Sequence, residues 1–324
     1  MLQDSFGREI NYLRLAVTDR CNLRCFYCMP ECGIDFVKQG QLLSYEELLR
    51  LVKVGVSMGI NKVRITGGEP FVRKDLVPFL KRLSAISGLD SLNITTNGTL
   101  TDKHVEELKR LGIAINLSWD TLDRDRFHQI TRRDELETVN VCFEKLMTHN
   151  VPTKINMVVM NGQNDDDIIP MAMLAKYNPV EVRFLEEMPF NGGVSKGHSP
   201  WNHQRILEKL KNALGALTLS KSNPGQTADV YRVDGWKGRL GIIASHSRTF
   251  CGSCNRLRIT PQGQIRTCLY SPENHNLRDF MRSGASDAEL KMYIQKAVNS
   301  KAKNGHEAEA QSALFTDSMA TIGG

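Results

Sequence analysis

The sequence lacks the features that mark several classes of protein. It has no apolar run of about 18 residues, the length that a membrane-spanning helix needs, and its charged start, MLQDSFGREI, lacks the apolar core of a signal peptide. Aromatic residues make up only 7% of the chain, they are scattered, and Lys and Arg form no long blocks. A nucleic-acid surface combines aromatics with an exposed basic stripe. These absences predict a cytoplasmic protein with neither a membrane nor a nucleic acid as its partner.

The residues that are present suffice for a sizeable folded protein. The chain has 324 residues, 41% of them apolar, which is enough for two domains or one large α/β unit with a substantial core. The formal net charge of +6 is compatible with an anionic partner but does not identify one.

Cysteine is notable for its pattern. Seven of the eight cysteines fall in two groups, at residues 21–32 and 251–268, and Cys142 stands alone. Spacings of two and three residues favour metal binding over long-range disulfides. The pattern therefore also predicts a reducing compartment.

Short β-branched segments alternate with segments of helical period over the first 188 residues. Six strands are predicted, at residues 12–18, 62–67, 91–97, 114–120, 153–160 and 180–188. Ser44 and Glu47 form a capping box that begins the first helix. Six βα units in series predict a parallel sheet with right-handed crossovers, either open or curled into a barrel.

The predicted strands alternate strictly between apolar and polar residues. Their polar face carries four cations, Arg14, Arg64, Lys154 and Arg183, among Asn, Ser, Thr and Asp residues. An antiparallel sheet with one solvated face is the alternative, but helices between the strands favour a barrel with a polar lumen. Unpaired buried cations are costly, so the lumen predicts a polyanionic ligand unless Glu69 or Asp120 pairs with them.

The pattern changes after about residue 190. A helix near residues 201–214, the segments VYRV and LGIIA, and two short strands near Thr260 and Ile265 predict a small antiparallel piece. Ser286 and Glu289 form a second capping box before a terminal helix. The predicted domains are therefore residues 1–190 and residues 191–324.

The first cysteine group is a C-x3-C-x2-C loop directly after the first strand. Cys21, Cys25 and Cys28 can bind three irons of a cubane cluster and leave the fourth iron open to a reactant. The alternative is a four-thiolate zinc site completed by Cys32. Because Pro30 turns the chain before Cys32, we favour a free thiol at that position.

The second group again supplies three thiolates. Cys251, Cys254 and Cys268 fit a zinc knuckle about as readily as an iron–sulfur site, with His246 as a weak fourth ligand. Arg256 and Arg258 lie two residues apart in a predicted strand, so both point the same way. Two guanidinium groups on one face suit bidentate binding of phosphate, although a solvated basic strand is the alternative.

The motifs together resemble the radical S-adenosylmethionine superfamily and, within it, the GTP 3′,8-cyclase family of molybdenum-cofactor biosynthesis. The resemblance is carried by DSFGREINYLRLAVTDRCNLRCFYCMP, VRITGGEPFVR, TTNG, VRFLEEMPF, FCGSCNRLRITPQGQIRTCL and the terminal Gly-Gly. It implies an α/β fold, an incomplete (βα)6 TIM-type barrel with a C-terminal α+β extension. Residues 1–190 would carry the first 4Fe-4S cluster, and residues 191–324 a second cluster and the Gly-Gly tail.

The resemblance also implies a lyase that converts GTP into (8S)-3′,8-cyclo-7,8-dihydroguanosine 5′-triphosphate, the first step of molybdopterin synthesis. The first cluster and S-adenosylmethionine would supply a 5′-deoxyadenosyl radical that abstracts the ribose 3′ hydrogen. A second 4Fe-4S cluster, bound by Cys251, Cys254 and Cys268, would contact the guanine. The implied partners are a reductant of the flavodoxin or ferredoxin type and the downstream cyclic pyranopterin monophosphate synthase, and the family is compatible with a homodimer.

The family's site residues carry over to matching positions of this chain. S-adenosylmethionine would contact Tyr27, Gly68, Asn97, Ser118 and Met188. GTP would contact Arg14, Arg64, Thr95, Lys154, Arg256, Leu257 and Arg258. Catalytic roles are implied for Cys21, Cys25, Cys28, Arg183 and a tail, Gly323 and Gly324, that threads into the pocket. The alternatives are a zinc-stapled nucleic-acid-binding module and a radical enzyme that modifies RNA or peptide, but cations on strands beside a cysteine loop favour a small buried anion.

Overall fold

The computed structural model describes residues 1–188, 199–221, 225–271, 275–311 and 318–323. Its elements up to residue 186 are β1 (Tyr12–Ala16), α1 (Tyr45–Ser57), β2 (Lys62–Thr66), α2 (Leu76–Ser84), β3 (Ser91–Thr96), α3 (Val105–Arg110), β4 (Ala114–Ser118), α4 (Arg124–Thr131), α5 (Leu136–Thr148), β5 (Thr153–Val159), α6 (Ile168–Tyr177) and β6 (Glu181–Glu186). All six predicted strands are confirmed within one or two residues at most ends.

The remaining elements are α7 (His203–Leu214), β7 (Thr218–Leu219), β8 (Ala228–Arg232), β9 (Arg239–Ile243), β10 (Arg256–Ile259), β11 (Gln264–Arg266), β12 (His275–Asn276), α8 (Leu277–Arg282), α9 (Asp287–Asn299), α10 (Gly305–Ala310) and α11 (Met319–Ile322). Among the described residues, no helix is both long and apolar enough to cross a membrane.

Two compact units are formed by segments that are distant in sequence. Unit 1 comprises Met1–Asn22, Cys28–Thr95 and Cys251–Gly324, and unit 2 comprises Leu23–Tyr27 and Thr96–Phe250. The division expected from the sequence, between residues 190 and 191, falls outside the described residues and stays a prediction.

The sheet of unit 1 runs in the order β12-β11-β10-β1-β2-β3. Strands β10, β1, β2 and β3 are parallel, whereas β11 and β12 are antiparallel to their neighbours. Because side chains alternate between the faces of a strand, Leu13 and Leu15 of β1 point into a closed core, where they are 1% and 0% exposed. The polar residues of the same strands share the opposite face.

The sheet of unit 2 runs in the order β4-β5-β6-β9-β8-β7. Strands β4, β5, β6 and β9 are parallel, and β7 and β8 are antiparallel additions at the edge. The burial of β5 alternates at every residue, as the sequence pattern predicts. The register places Asn116, Lys154 and Glu181 side by side, with Ser118, Asn156 and Arg183 two residues further along.

Both predicted capping boxes are present. The Ser44 side chain accepts a hydrogen bond from the backbone N–H of Glu47, whose carboxylate accepts one from the backbone N–H of Ser44, at the start of α1. Ser286 and Glu289 repeat the arrangement at the start of α9. These reciprocal bonds satisfy N–H groups that the first turn of a helix leaves without partners.

The late strands do more than form the small antiparallel piece that their pattern predicts. β8 is antiparallel to β9, and β10 to β11, as expected. However, β9 also pairs in parallel with β6, and β10 pairs in parallel with β1. Each unit therefore completes its sheet with strands from the C-terminal half of the chain.

Removal of a buried ring from unit 2 tests how far this packing stabilises the fold. Phe184 of β6 is 0% exposed, so we expect Phe184→Ala to lower the free energy of unfolding by about 3–5 kcal/mol. Tyr177→Ala, at a residue 61% exposed, is the matched control and should change it by less than about 0.5 kcal/mol. Urea unfolding followed by circular dichroism measures both, and equal losses in the two variants would contradict the packing described.

Candidate active site

A row of arginines lies on the polar face of the unit 1 sheet. Arg14 of β1 is opposite Arg64 of β2 on one side and Arg258 of β10 on the other. Arg256 lies two residues before Arg258 and shares its face. The sequence predicted all four cations as site residues. The pairing of β10 with β1 brings Arg256 and Arg258 to the same sheet as Arg14 and Arg64.

Two arginines of the row have no counter-charge beside them among the described residues. Within the described ranges, no carboxylate lies within 4.0 Å of the guanidinium of Arg14 or Arg258. The buried Nε of Arg14 and the buried Nη1 of Arg258 have no hydrogen-bond partner among the described atoms. Burial, followed by the field of neighbouring arginines, lowers the pKa of Arg14 and lowers that of Arg258 to about 10. An anion bound on this face would therefore offset the buried positive charge.

Tyr12 belongs to the same row, although the sequence analysis did not select it. It lies opposite Lys62 and Arg256, and the Lys62 Nζ sits 4.7 Å from the centre of its ring. Burial raises the pKa of its phenol, but Arg64, Arg14, Lys62 and Arg256 together make the net shift downward. Its position, two residues before Arg14 in an alternating strand, was the signal available in the sequence.

The second cysteine group lies beside this row in unit 1. Cys251 and Cys254 belong to one tight turn in which the Cys254 N–H donates to the Cys251 carbonyl at 3.2 Å. Cys268 follows β11, and its charge acts on Arg258 together with that of Cys254. Burial raises the pKa of Cys254, but Lys301, Arg256 and Arg258 outweigh it and lower the value to about 7. Near neutral pH this thiol ionises readily, as a metal ligand must.

The side chains do not converge on a single point. Within the part of the chain that the structure describes, no three His, Cys, Asp or Glu side chains are arranged to hold one metal ion. The donor chemistry of the second group nevertheless fits a cluster, because sulfur ligands with cationic neighbours are present on adjoining segments. Its ligand roles stay a prediction.

The first cysteine loop is held at its start by two glycines. A Cβ on Gly67 would lie 2.4 Å from the Thr18 carbonyl oxygen, and one on Gly68 would lie 2.3 Å from that of Arg20. The Gly68 N–H donates to the Thr18 carbonyl, and the Glu69 N–H donates to the Arg20 carbonyl, both at 2.8 Å. These glycines are therefore required by the approach of the loop's own backbone. The contact of Gly68 with S-adenosylmethionine, which the resemblance implies, stays a prediction.

The middle of the same loop belongs to unit 2. The N–H groups of Arg24 and Phe26 donate to the carbonyls of Thr131 and Ile130 at the end of α4. Cys21 and Cys28 fall in unit 1, and Cys25 falls in unit 2. The backbone at Cys25 is thus fixed by α4 rather than by the strand that precedes the loop.

Tyr27 is fixed by a buried carboxyl group. Its hydroxyl donates to Oδ2 of Asp120 at 2.7 Å, while Oδ1 of Asp120 accepts from the Val158 N–H at 2.9 Å. Burial raises the pKa of Asp120 to about 6, although both hydrogen bonds work in the opposite direction. Asp120 therefore orients the ring of Tyr27 from the end of β4.

Unit 2 pairs its own cations with Glu181, which the sequence analysis did not single out. Arg183 donates from Nε to Oε1 of Glu181 at 2.5 Å, and the Lys154 Nζ lies 3.9 Å from the same oxygen. Of the two carboxylates suggested for these cations, Asp120 accepts from Tyr27 instead, and Glu69 accepts from the Phe71 N–H. Burial opposes ionisation of Glu181, but the cations lower its pKa.

The contacts of several other predicted residues do not test the roles expected for them. Asn97 accepts hydrogen bonds from the N–H and hydroxyl of Thr99, and the buried Thr95 hydroxyl has no partner among the described atoms. Leu257 is 1% exposed on the apolar side of β10, opposite to Arg256 and Arg258, so only its backbone can serve a ligand on the polar face. Ser118 and Met188 are partly exposed in and after strands β4 and β6.

The tail reaches the polar face of unit 1. The Thr66 hydroxyl donates to the Gly323 carbonyl at 2.9 Å, and a Cβ on Gly323 would lie 2.6 Å from that of Ala16. The Ser318 hydroxyl donates to the carbonyl of Cys28 at 2.6 Å. Gly324 lies outside the described residues. A side chain at position 323 would thus collide with β1, and its φ of +87° also favours glycine.

Comparison with known proteins gives a consistent result. Residues 15–175 match the radical SAM superfamily, and residues 180–307 match the family described as Molybdenum Cofactor Synthesis C. The GTP 3′,8-cyclase of Clostridium perfringens is 42% identical over 303 residues, which cover 93% of both chains. The chain belongs to the GTP 3′,8-cyclase family.

Other relatives differ from this chain in length. The mitochondrial enzyme of Arabidopsis thaliana is 40% identical over 306 residues, which cover 93% of this chain and 78% of that one. Molybdenum cofactor biosynthesis protein 1 of Dictyostelium discoideum is 41% identical over 92% of this chain but only 48% of its own length. Membership of the radical SAM superfamily implies a 4Fe-4S cluster and S-adenosylmethionine.

A solved structure supports the fold assigned to the family. Streptococcus suis SuiB bound to S-adenosylmethionine aligns with a TM-score of 0.61 at 14% identity, over 88% of this chain and 68% of that one. The predicted α/β fold, an incomplete barrel of the radical SAM kind, is confirmed.

The buried carboxyl group of Asp120 generates a prediction about pH. Its folded-state pKa of about 6 is above the ordinary value of 3.8, so its contribution to stability is complete below 3.8 and is lost as the pH rises through about 6. We therefore expect the unfolding free energy of the wild-type protein, relative to Asp120→Asn, to fall over this window. Urea unfolding of cluster-free protein at a series of pH values measures it.

A second variant tests the hydrogen bond. Tyr27→Phe removes a donor that lowers the pKa of Asp120, so the same pH-dependent loss should move to higher pH. Parallel stability curves for the wild-type protein and Asp120→Asn would show that Asp120 does not titrate as described.

Proposed function

We propose that this chain is a radical S-adenosylmethionine GTP 3′,8-cyclase that converts GTP into (8S)-3′,8-cyclo-7,8-dihydroguanosine 5′-triphosphate. The observation that carries the proposal is the arginine row of unit 1, which buries cations without carboxylate partners for Arg14 and Arg258 in the described chain. The relatives named GTP 3′,8-cyclase support the reaction. The role would be the first step of molybdenum-cofactor biosynthesis.

The first cysteine loop would hold the cluster. Cys21, Cys25 and Cys28 supply three thiolates from a loop whose start is fixed by Gly67 and Gly68. When bound, the cluster and S-adenosylmethionine supply a 5′-deoxyadenosyl radical that abstracts the 3′ hydrogen of the ribose. Tyr27 would contact S-adenosylmethionine, and its hydroxyl is held by a hydrogen bond to Asp120.

The arginine row would bind the triphosphate. Guanidinium groups bind phosphate oxygens in pairs with fixed geometry, and the polar face presents Arg14, Arg64, Arg256 and Arg258 from three adjacent strands. An anion on this face relieves the repulsion between the cations and satisfies the buried N–H groups of Arg14 and Arg258. The Tyr12 hydroxyl, also buried without a partner in the described part, is available to the same ligand.

The second cysteine group would hold a second 4Fe-4S cluster. Cys251, Cys254 and Cys268 would be its three ligands, and the resemblance to the family implies that the cluster would contact the guanine. The low pKa of Cys254 and its cationic neighbours support a deprotonated ligand set. The choice of GTP over ATP rests on the likeness to relatives named GTP 3′,8-cyclase.

Two further roles are proposed, one for Arg183 and one for the tail. Glu181 fixes the guanidinium of Arg183 by a direct hydrogen bond, which suits a positioning role for Arg183. The carbonyl of Gly323 is anchored on Thr66. The electron donor would be of the flavodoxin or ferredoxin type, the product would pass to cyclic pyranopterin monophosphate synthase, and a homodimer is the proposed assembly.

Metal content and product formation test this function together. After anaerobic reconstitution we expect about eight irons per chain in two cubanes, and 5′-deoxyadenosine that forms rapidly only when GTP is added. Iron analysis and chromatography of the products measure both. Stoichiometric zinc without iron–sulfur absorption in the visible region would refute the proposal.

The triphosphate assignment has its own test. Arg258→Met removes a row cation while keeping its length, so we expect at least a tenfold loss of GTP affinity, because charge-assisted bonds to phosphate contribute about 1.5–3 kcal/mol each. Arg50→Met is the matched control, since Arg50 pairs with Asp287 at the surface. Isothermal titration calorimetry with GTP measures both affinities. Unchanged affinity in Arg258→Met would contradict the assignment of the triphosphate to the arginine row.

A further inference from the structure

The N-terminal hairpin of unit 1 holds a buried ion pair that the proposed function does not use. Residues Gln3 and Glu9 pair across the hairpin, and the Arg8 Nε lies 2.6 Å from Oδ2 of Asp4. The side chains of Arg8 and Asp4 are only 9% and 0% exposed. Oδ1 of Asp4 also accepts from the N–H groups of Phe6 and Arg8, so the carboxylate fixes the guanidinium.

The free side of this guanidinium reaches the second cysteine group. Nη1 of Arg8 donates to the carbonyl of Cys251 at 3.1 Å and to that of Lys303 at 2.7 Å. Nη2 donates to the carbonyl of Ala302 at 2.7 Å. Arg8 therefore ties the turn that begins at Cys251 to the chain that follows α9.

Lys301, in that same following segment, ties the other two cysteines together. It is 3% exposed, and its Nζ donates to the Arg256 carbonyl at 3.2 Å and also to the Thr267 carbonyl. Arg256 comes two residues after Cys254, and Thr267 comes directly before Cys268. One ammonium thus bridges the two segments that carry these cysteines.

The charge of Lys301 is otherwise unbalanced. Over the described residues, no carboxylate lies within 4.0 Å of its Nζ, and its hydrogen-bond partners are neutral carbonyls. A buried cation is costly unless an opposite charge lies nearby. Ionised thiolates supply that charge, which makes burial of Lys301 favourable when the cysteines are metal ligands.

We propose that Asp4, Arg8 and Lys301 form a clamp that positions Cys251, Cys254 and Cys268 as ligands of one cluster and offsets its negative charge. The three are positioning residues, because their contacts reach the cysteine backbone and its neighbours. The inference rests on the proposed cluster at the second cysteine group. The clamp gives a role to the DSFGRE segment, which contains Asp4 and Arg8 and has no part in the proposed reaction.

Protection of cysteines from alkylation tests the clamp site by site. In reconstituted holoprotein treated with iodoacetamide and mapped by mass spectrometry, the six proposed ligand cysteines of the wild type should be protected. Lys301→Met should increase the alkylation rate of Cys251, Cys254 and Cys268 by about tenfold or more, as loss of outer-shell partners does to metal affinity. Cys21, Cys25 and Cys28 should stay protected. Lys303→Met is the matched control and should resemble the wild type.

Two further measurements separate positioning from general stability. Arg8→Met should open the second group selectively, and Arg8→Lys should restore part of the protection because it keeps the charge. In variants that retain the second cluster, its reduction potential, followed by electron paramagnetic resonance, should become more negative when a cation is lost.

Three other outcomes would each contradict a part of this proposal. Unchanged protection of the second group in Lys301→Met would overturn the clamp, as would loss of protection at both groups, which would mean a general folding role. A wild-type protein that protects only the first group would instead refute the second cluster itself.

Discussion

The accumulation of buried positive charge on one sheet face is the constraint on which the rest of unit 1 depends. Arg14 and Arg258 face each other across β1 and β10 with no carboxylate beside them in the described chain. Such burial is unfavourable unless an anion occupies the face. The register of the adjacent strands places the backbone positions of these arginines side by side, so their side chains start from one face. A bound polyanion is the physical complement of this arrangement.

The same electrostatic logic connects the cations with the cysteines. Arg256, Arg258 and Lys301 lower the pKa of Cys254, so the same cations that repel one another favour its thiolate form. At the first loop the backbone itself is close-packed. Gly67 and Gly68 leave space for the carbonyls of Thr18 and Arg20, which a side chain at either position would block. In both places the cysteine-bearing chain is held by contacts to main-chain atoms.

Much of this was predictable from local pattern. The alternation in Leu13-Arg14-Leu15 predicts a strand with one apolar and one polar face, and Ser44 with Glu47 predicts a helix start. The arginines of the row were all identified, because parity along a strand tells which side chains share a face. Glu181 and Lys301 were not identified, since a lone acidic or basic residue carries no signal until its neighbours in space are known. The suggestion that Asp120 could pair with the cations of the polar face does not hold for the same reason, since its carboxylate accepts from Tyr27.

The sequence by itself determined the strands, the helix starts, the thiolate spacing and the family, since each depends on residues that are close along the chain. Only the tertiary structure decided that β10 lies beside β1 and β9 beside β6, which requires pairing between segments more than 50 residues apart. It also decided that Arg8 and Lys301, at opposite ends of the chain, meet around one cysteine group. Local propensity cannot specify such contacts, because they arise from the register of distant strands and the burial of charge between them.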